Sequence, residues 1–407
     1  MFGIFMEQIK YVVLGAGPSG LTVANALLAM GQESVVVLEK ESEPGGLCRS
    51  TEVDGNPLDI GGGHFLDERN TEVLDFLFRF LPRSEWNRYD RIAKIRIRGR
   101  EIDHPLEGNL WQLPVEDQID FLESIVATGS VMGTPMPERF SEWVEWKLGK
   151  KIAGEYMNPY NRKIWSMDLD ELGTYWLYKL PNVSFRDVLE SCLRQKSCGS
   201  LPAHGTFLYP KQGGYGEVWR RMGAALGDRL RCGTPLRQID TGARVLNGNI
   251  QYETLINTIP WPCWAEATEL PAEVAAAVDL LKSCSVRVEY HPESAGSKAH
   301  WIYEPDERIP YHRLLLRENF CEGARGYWTE ANVKRVSAES ACWHHDSLYA
   351  YPVNTLRKPE AVRVITHWAV RNHVRPVGRW GKWEHMNSDV AVAEGLAVAR
   401  EFTVVHA

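Results

Sequence analysis

The chain has 407 residues, 44% hydrophobic and 24% charged, which is enough for two or three domains with sizeable cores. Its net charge of −7 excludes a general pull toward nucleic acid or anionic lipid. No apolar run approaches the roughly 18 residues of a membrane span. Met1 to Lys10 is too short and wrongly charged for a secretory leader, so a cytoplasmic location is expected.

Tyr11-Val12-Val13-Leu14 is a short apolar run of the kind a buried parallel strand needs. It leads into Gly15-Ala16-Gly17-Pro18-Ser19-Gly20, a GxGxxG, followed by Leu, Val and Ala at helical spacing from Leu21 to Met30 and a stop at Gly31. Ser34 to Leu38 predicts a second buried strand. Glu39 stands at its end, about 20 residues on, where a ribose-binding carboxylate belongs. Gly15 permits the tight turn, Gly17 lets the backbone approach a pyrophosphate, and Gly20 lets the helix pack close to the strand. Pro18 and Ser19 open the helix whose N–H groups and dipole would meet the phosphates. Glu39, with Lys40 beside it, would accept from the ribose hydroxyls and repel a 2′-phosphate.

Further on, Glu72 to Phe80 has helical spacing. Arg91 to Arg100 alternates, with Ile95 and Ile97 on one side and Lys94, Arg96, Arg98 and Arg100 on the other, so a half-buried strand with a solvated basic face is expected. Val115 to Leu193 is mostly helical in pattern. It holds a segment capped at Phe140-Ser141 and ending at Gly149, a second through Ile152, Tyr156 and Met157, and a third from Ser184 with Asp187 as its capping-box partner. Leu236 to Ile239, Ile250 to Tyr252 and Thr254 to Pro260 predict strands. Cys284 to Tyr290, Ala299 to Tyr303 and Arg313 to Leu316 predict a separate sheet, and Ser388 to Phe402 a closing helix. The eight cysteines are scattered without a CxxC and are expected to be reduced thiols. Cys342, His344, His345 and Asp346 are close in sequence, but consecutive histidines on one element rarely converge, so no metal centre is expected. No Ser-His-Asp arrangement with a nucleophile elbow is present.

Glu43-Pro44-Gly45-Gly46-Leu47-Cys48-Arg49 and Leu58-Asp59-Ile60-Gly61-Gly62-Gly63-His64-Phe65 resemble the FAD-binding continuation of the amine oxidase, protoporphyrinogen oxidase and UDP-galactopyranose mutase superfamily. Tyr209 to Gly216 resembles its P-x-GG return segment. The resemblance implies FAD, with Gly46, Leu47 and Arg49 on its phosphate side, Gly62, Gly63 and His64 near its ring, and Leu236, Gly378, Arg379 and Asn387 as further contacts. Four segments are similar to UDP-galactopyranose mutase in particular, its eukaryotic-type branch above all. They are Asn158 to Trp165; Trp301-Ile302-Tyr303 with Arg313; Tyr349-Ala350-Tyr351-Pro352 with Asn354-Thr355-Leu356; and Gly378 to Trp383.

The fold this implies is α/β, a doubly wound Rossmann-like FAD domain with an inserted α-helical domain and an antiparallel β-sheet domain. The expected division is 1–93, 204–262 and 345–407 for the FAD domain, 113–203 for the helical cap, and 94–112 with 263–344 for the sheet domain. The implied activity is interconversion of pyranose and furanose forms of a nucleotide-diphosphate sugar, UDP-galactose or a relative. N5 of reduced FAD is the nucleophile toward the anomeric carbon, and there is no net redox change. The implied partners are the nucleotide sugar and a reductant, NAD(P)H or a reductase, with neither nucleic acid nor membrane.

By the same resemblance Arg313 and Arg379 are diphosphate arginines, and His64 is the histidine whose backbone tunes the flavin. Three glycines precede His64 where the family has two, so either His64 or Gly63 occupies that position. Tyr156, Asn161, Trp165, Trp301, Tyr303 and Tyr351 are implied substrate contacts, and Lys179 is the nearest counterpart of a mobile-loop arginine. Two segments depart from the family. His104 and Glu107 stand in His-Pro-Leu-Glu where it carries Tyr-Pro-Phe-Gln, and Glu384-His385 follows Trp383 where it has a tyrosine. Two rival readings remain open: an FAD-dependent oxidase of the amine oxidase or protoporphyrinogen oxidase type, and a flavin-binding protein with a structural or sensing role. Lys163 and Lys211 do not sit in the context of the amine oxidases' flavin-facing lysine.

Overall fold

The structure, a computed structural model, describes residues 6–177, 183–198, 205–337, 339–340 and 342–404. The chain opens on β1 (Glu7–Leu14), α1 (Pro18–Ala29) and β2 (Val35–Leu38). Tyr11 to Leu14 and all of β2 are buried, which is why both stretches are continuous apolar runs rather than alternating ones. Gly31, at φ 81°, follows the end of α1.

The basic stretch after Arg91 is a hairpin, not one strand. β3 (Ala93–Ile97) and β4 (Arg100–Asp103) turn at Arg98 and Gly99, both with positive φ. Lys94, Arg96 and Arg98 are also paired rather than merely solvated. Lys94 meets Asp103 at 2.6 Å, Arg96 meets Glu101 at 3.3 Å, and Arg98 gathers Asp117, Asp120 and Glu155.

The longer helices that follow are α2 (Val115–Val126), α3 (Phe140–Ile152), α4 (Asn158–Trp165) and α5 (Phe185–Arg194). The Ser184–Asp187 capping box forms as its spacing predicts. Ser141 does not cap α3; Arg139 holds the cap position, and Ser141 bonds Asp170. Gly149 breaks the helix at φ 79°, and a side chain is excluded there because a Cβ would lie 2.5 Å from the Ser124 carbonyl oxygen. A π-helical turn, Ala153–Met157, then carries Tyr156 into α4.

The two strands expected over 250–260 are one, β5 (Ile250–Asn257), and the strand expected at Leu236 shrinks to Ile239–Asp240. β5 runs parallel to β1 on the side opposite β2. The second sheet is built from β6 (Ser283–His291), β7 (Trp301–Tyr303), β8 (Arg313–Leu315), β9 (Tyr327–Asn332) and β10 (His344–Pro352). Its order is β10-β6-β9-β8-β7-β3-β4, antiparallel except where β7 meets β3. The sheet therefore extends to Pro352, past the boundary expected at 344. The helix Ala272–Leu280 packs into the core of the first sheet.

α6 (Lys358–Arg371) leads to β11 (Val374–Pro376), which pairs parallel with β5, and α7 (Ser388–Val404) packs along α1. Lys163 fastens the helical segment to the second sheet's domain, donating to the carbonyls of Glu304 at 2.6 Å and Asp306 at 2.8 Å. Burial brings its ammonium pKa down to about 8. All eight cysteines are free thiols. Among the described residues no helix is long and apolar enough to cross a membrane.

Candidate active site

The glycine motif forms a cradle whose shape is set by close backbone approach. Gly15 has φ 95°, and a Cβ on Gly20 would lie 2.0 Å from the Gly15 carbonyl oxygen. Glu39 fixes the loop from below, its carboxylate accepting the Ala16 N–H at 2.7 Å and the Glu41 N–H at 3.0 Å. Gly17 is different. Its backbone (φ −77°, ψ −178°) suits any residue, and the nearest atom to an added Cβ is Gly46 Cα at 4.0 Å. Nothing in the protein itself requires glycine there. Glycine there leaves bare the end of α1, which has no side-chain cap and lies against Gly46. The residues thus fit a dinucleotide pyrophosphate. Arg49 borders this cradle, its Nε donating to the Gly46 carbonyl at 3.1 Å. Gly378, at φ 76°, packs on Ser19. Lys40 is exposed beside Glu41, and Leu236 packs against the first-sheet core.

Beyond the cradle a cavity of about 380 Å³ opens between the three parts of the chain. Gly63 and His64 form its floor, while His104 and Glu107 come from the segment after β4. The helical part contributes Tyr156, Asn161 and Trp165, the second sheet Trp301, Tyr303, Arg313 and Tyr351, and the C-terminal segment Arg379, His385 and Asn387. Every substrate-side residue expected from sequence lines this cavity except Lys179, which lies outside the described residues. Asn161 and Trp165 share a helix face as their spacing predicts, and the indole N–H donates to Asn161 Oδ1 at 2.9 Å. Trp301 and Tyr303, alternate residues of β7, face the same way and are joined by an indole–hydroxyl bond of 3.1 Å. His385 stacks on Tyr351 with ring centroids 5.1 Å apart.

The two arginines are held by different means. Arg313 and Glu330 are directly opposite in the β8–β9 ladder and form a two-pronged ion pair at 3.0 and 2.5 Å. Burial opposes the Arg313 charge, yet the carboxylate keeps its pKa well above the usual arginine value. Arg379 is held by carbonyls, Ala350 at 2.8 Å and Met386 at 2.7 Å. Neutral carbonyls fix its guanidinium without cancelling its charge.

Burial, reinforced by Arg379, lowers the His64 pKa to about 3, so its ring is neutral. Its Nδ1 donates to the Gly62 carbonyl at 2.9 Å. His104 is half-buried, and desolvation keeps it neutral as well. Arg91 can only donate to its Nδ1, at 2.9 Å, which puts the ring proton on Nε2. Burial raises the Glu107 carboxyl to about 7, and Lys147 draws it back in part. Tyr156 and Tyr160, raised well above 10 by burial, stay protonated as donors.

Several lining residues carry no signal that sequence reasoning used. Arg91 lies over the Trp301 ring at 5.0 Å, Trp176 closes the helical side, and His312 presents a buried Nδ1 without a hydrogen-bond partner. Glu330 lies beneath the cavity and binds both Arg313 and the Gly63 N–H. Tyr160, by contrast, sits inside a quoted motif, and its spacing from Tyr156 could have revealed it.

Residues 13–80 match the family model of the NAD(P)-binding Rossmann-like domain. An uncharacterised protein in the nifH2 3′ region of Methanothermococcus thermolithotrophicus is 39% identical over 102 residues, which are 23% of this chain and 97% of that protein. The chain belongs to that protein's family. Among solved structures, reduced UDP-galactopyranose mutase superposes with a TM-score of 0.86 at 22% identity, covering 98% of this chain and 94% of the other. A putative protoporphyrinogen oxidase from Exiguobacterium sp. 255-15 gives 0.73 at 14% identity, covering 99% and 100%. These likenesses show the fold that the structures share, and its dinucleotide-binding part includes residues 13–80.

Proposed function

We propose that this chain interconverts the pyranose and furanose forms of a nucleotide-diphosphate sugar, UDP-galactose or a relative, using reduced FAD. The observation that carries the proposal is the convergence of Arg313 and Arg379 on one cavity, beside Gly63 and His64. An enzyme acting on amines has no diphosphate to hold. Reduced FAD, when bound, supplies a nucleophile toward the anomeric carbon without net redox change.

The chain's own residues do the rest. Arg379, fixed by carbonyls and carrying uncancelled charge, holds the diphosphate and stabilises the negative charge that grows on the departing nucleotide. Arg313, paired with Glu330, adds a rigid donor fork with less net charge. Tyr156, Tyr160 and neutral His104 offer hydrogen bonds to hydroxyl and phosphate oxygens. Trp165, Trp301 and Tyr303 wall the cavity against water, which would otherwise capture the activated sugar. A reductant, NAD(P)H or a reductase, must prepare the flavin.

The test is anaerobic incubation of oxidised and dithionite-reduced protein with a panel of nucleotide sugars, followed by chromatography. An isomer of equal mass formed only by the reduced protein is the expected result and names the substrate. Neither conversion nor binding across the panel overturns the proposal, and oxygen uptake with amines would then establish the oxidase.

A further inference from the structure

A cluster of metal-ligating side chains lies on the second sheet, on the face turned away from the cofactor cavity. Side chains alternate along a strand, and directly opposite residues share a face. Glu330 of β9 faces the cavity side with Arg313 and is opposite Val288 of β6. Glu289 and His291, two apart on β6, therefore project from the other face, opposite Thr329 and Tyr327. On the other flank Glu289 is opposite His344 of β10, and the Tyr290 N–H bond to the Trp343 carbonyl, 2.9 Å, carries the ladder on so that Cys342 meets His291.

We infer that Glu289, His291 and Cys342 form a zinc-type divalent metal site that staples the start of the edge strand β10 to β6. Their ligand atoms all lie within 4.8 Å of one another, and His291 Nε2 is 3.8 Å from the Glu289 carboxylate. Ligands around a tetrahedral Zn²⁺ are about 3.3–3.8 Å apart, so the side chains need to close by about 1 Å, within rotamer adjustment.

The donor set is thiolate, imidazole and carboxylate, the mixture that suits this ion. The imidazole is oriented for the role. Its ring stacks on Tyr327 at 4.9 Å, which holds Nε2 toward the Glu289 carboxylate at 3.8 Å while Nδ1 faces Glu293 at 3.9 Å. Thr329 Oγ1, 3.3 Å from Nε2, lines the same spot. A fourth position is open to water or to His344, whose Nδ1 now lies 3.2 Å from the Cys342 carbonyl. His345 points to the opposite face, so the juxtaposed histidines in the sequence were a poor guide to the metal. The i, i+2 pair across from Cys342 was the better one. On this geometry the metal is structural and independent of the flavin.

The experiment uses the FAD-loaded full chain stripped with EDTA. Zn²⁺ is titrated by calorimetry, and Co²⁺ serves as a visible probe beyond the flavin's absorption. The expected result is one metal per chain, tetrahedral Co²⁺ bands, and a thermal midpoint raised by Zn²⁺. Cys342→Ser and His291→Ala should each lose about tenfold or more in affinity, with FAD content and circular dichroism unchanged. Glu289→Gln provides an independent variant should either of these fail to fold. No stoichiometric uptake, or uptake that these substitutions leave unchanged, overturns the site.

Discussion

Glu330 ties Arg313 to the glycine loop at Gly63. One carboxylate oxygen receives the arginine fork at 2.5 and 3.0 Å, and the other accepts the Gly63 N–H at 2.7 Å. The carboxylate is fully buried, so its charge depends on both partners. Removing one member of such a pair strands the other, at a cost of about 3–5 kcal/mol. Glu330→Gln and Arg313→Met are each expected to destabilise the FAD-loaded protein by about that amount in urea unfolding. The double variant should lose markedly less than the sum. Additive losses would show that the pair is not coupled.

The contrast between the two arginines gives a second expectation. Because Arg379 is held by neutral carbonyls, Arg379→Ala should weaken nucleoside diphosphate binding by about ten- to a hundredfold while the protein keeps FAD. Arg379 also clamps the Ala350 and Met386 carbonyls, so Arg379→Lys serves as a control for local loosening. Equal affinity in wild type and Arg379→Ala, by fluorescence or calorimetric titration, would remove Arg379 from the diphosphate site.

Gly17 tests the cofactor cradle without disturbing the fold. A Cβ there makes only an ordinary contact, with Gly46 Cα at 4.0 Å, and the backbone is ordinary for any residue. Gly17→Ala should therefore fold with unchanged circular dichroism yet lose FAD, measured as the flavin-to-protein absorbance ratio. Gly20→Ala should fail differently, because its Cβ would strike the Gly15 carbonyl and disturb the βαβ unit itself. Full flavin content in Gly17→Ala would contradict the cradle.

How much of this was legible in the sequence depended on whether the signal was local. The βαβ unit, Glu39, the Ser184–Asp187 box and the pairing of Asn161 with Trp165 all rest on spacings of a few residues or one repeat, and they form. The Arg98–Gly99 turn was missed because alternation of Ile and Arg continued up to it, while the positive φ that turns the chain sits in a dipeptide with only one glycine. Glu330 had no local signal at all. Its partner Gly63 is 267 positions away, and the only clue was a carboxylate inside an otherwise buried strand, Tyr327–Asn332. His312 was hidden by its neighbour Arg313, which carried the family resemblance.

Asp59 makes stability depend on pH beneath the same loop. It is buried and accepts from Ser50, Tyr209 and the Tyr215 N–H, yet burial outweighs these bonds and raises its pKa to about 7. The folded value lies above the unfolded value of about 3.9, so the folded state holds the proton more tightly. Its contribution is then most favourable below about pH 4 and is lost as pH rises toward about 7. Asp59→Asn should flatten the pH dependence of the thermal midpoint across that window. An unchanged slope would mean that other groups set it.

Glu107 predicts a pH dependence of ligand binding with a definite sign. Its carboxyl lines the cavity and titrates near 7, raised by burial and only partly drawn back by Lys147. Below that pH it is neutral and can donate to a phosphate or sugar oxygen. Above it the carboxylate repels an anionic diphosphate, and by linkage the bound anion raises the Glu107 pKa further. Nucleoside diphosphate affinity in wild type should therefore fall as pH rises through about 7. Glu107→Gln keeps the shape and removes the charge, so its affinity should vary little over the same range and exceed wild type at the alkaline end. Sugar-nucleotide titrations of both proteins at several pH values measure this directly, and parallel curves would show that Glu107 stays uncharged or lies away from the bound diphosphate.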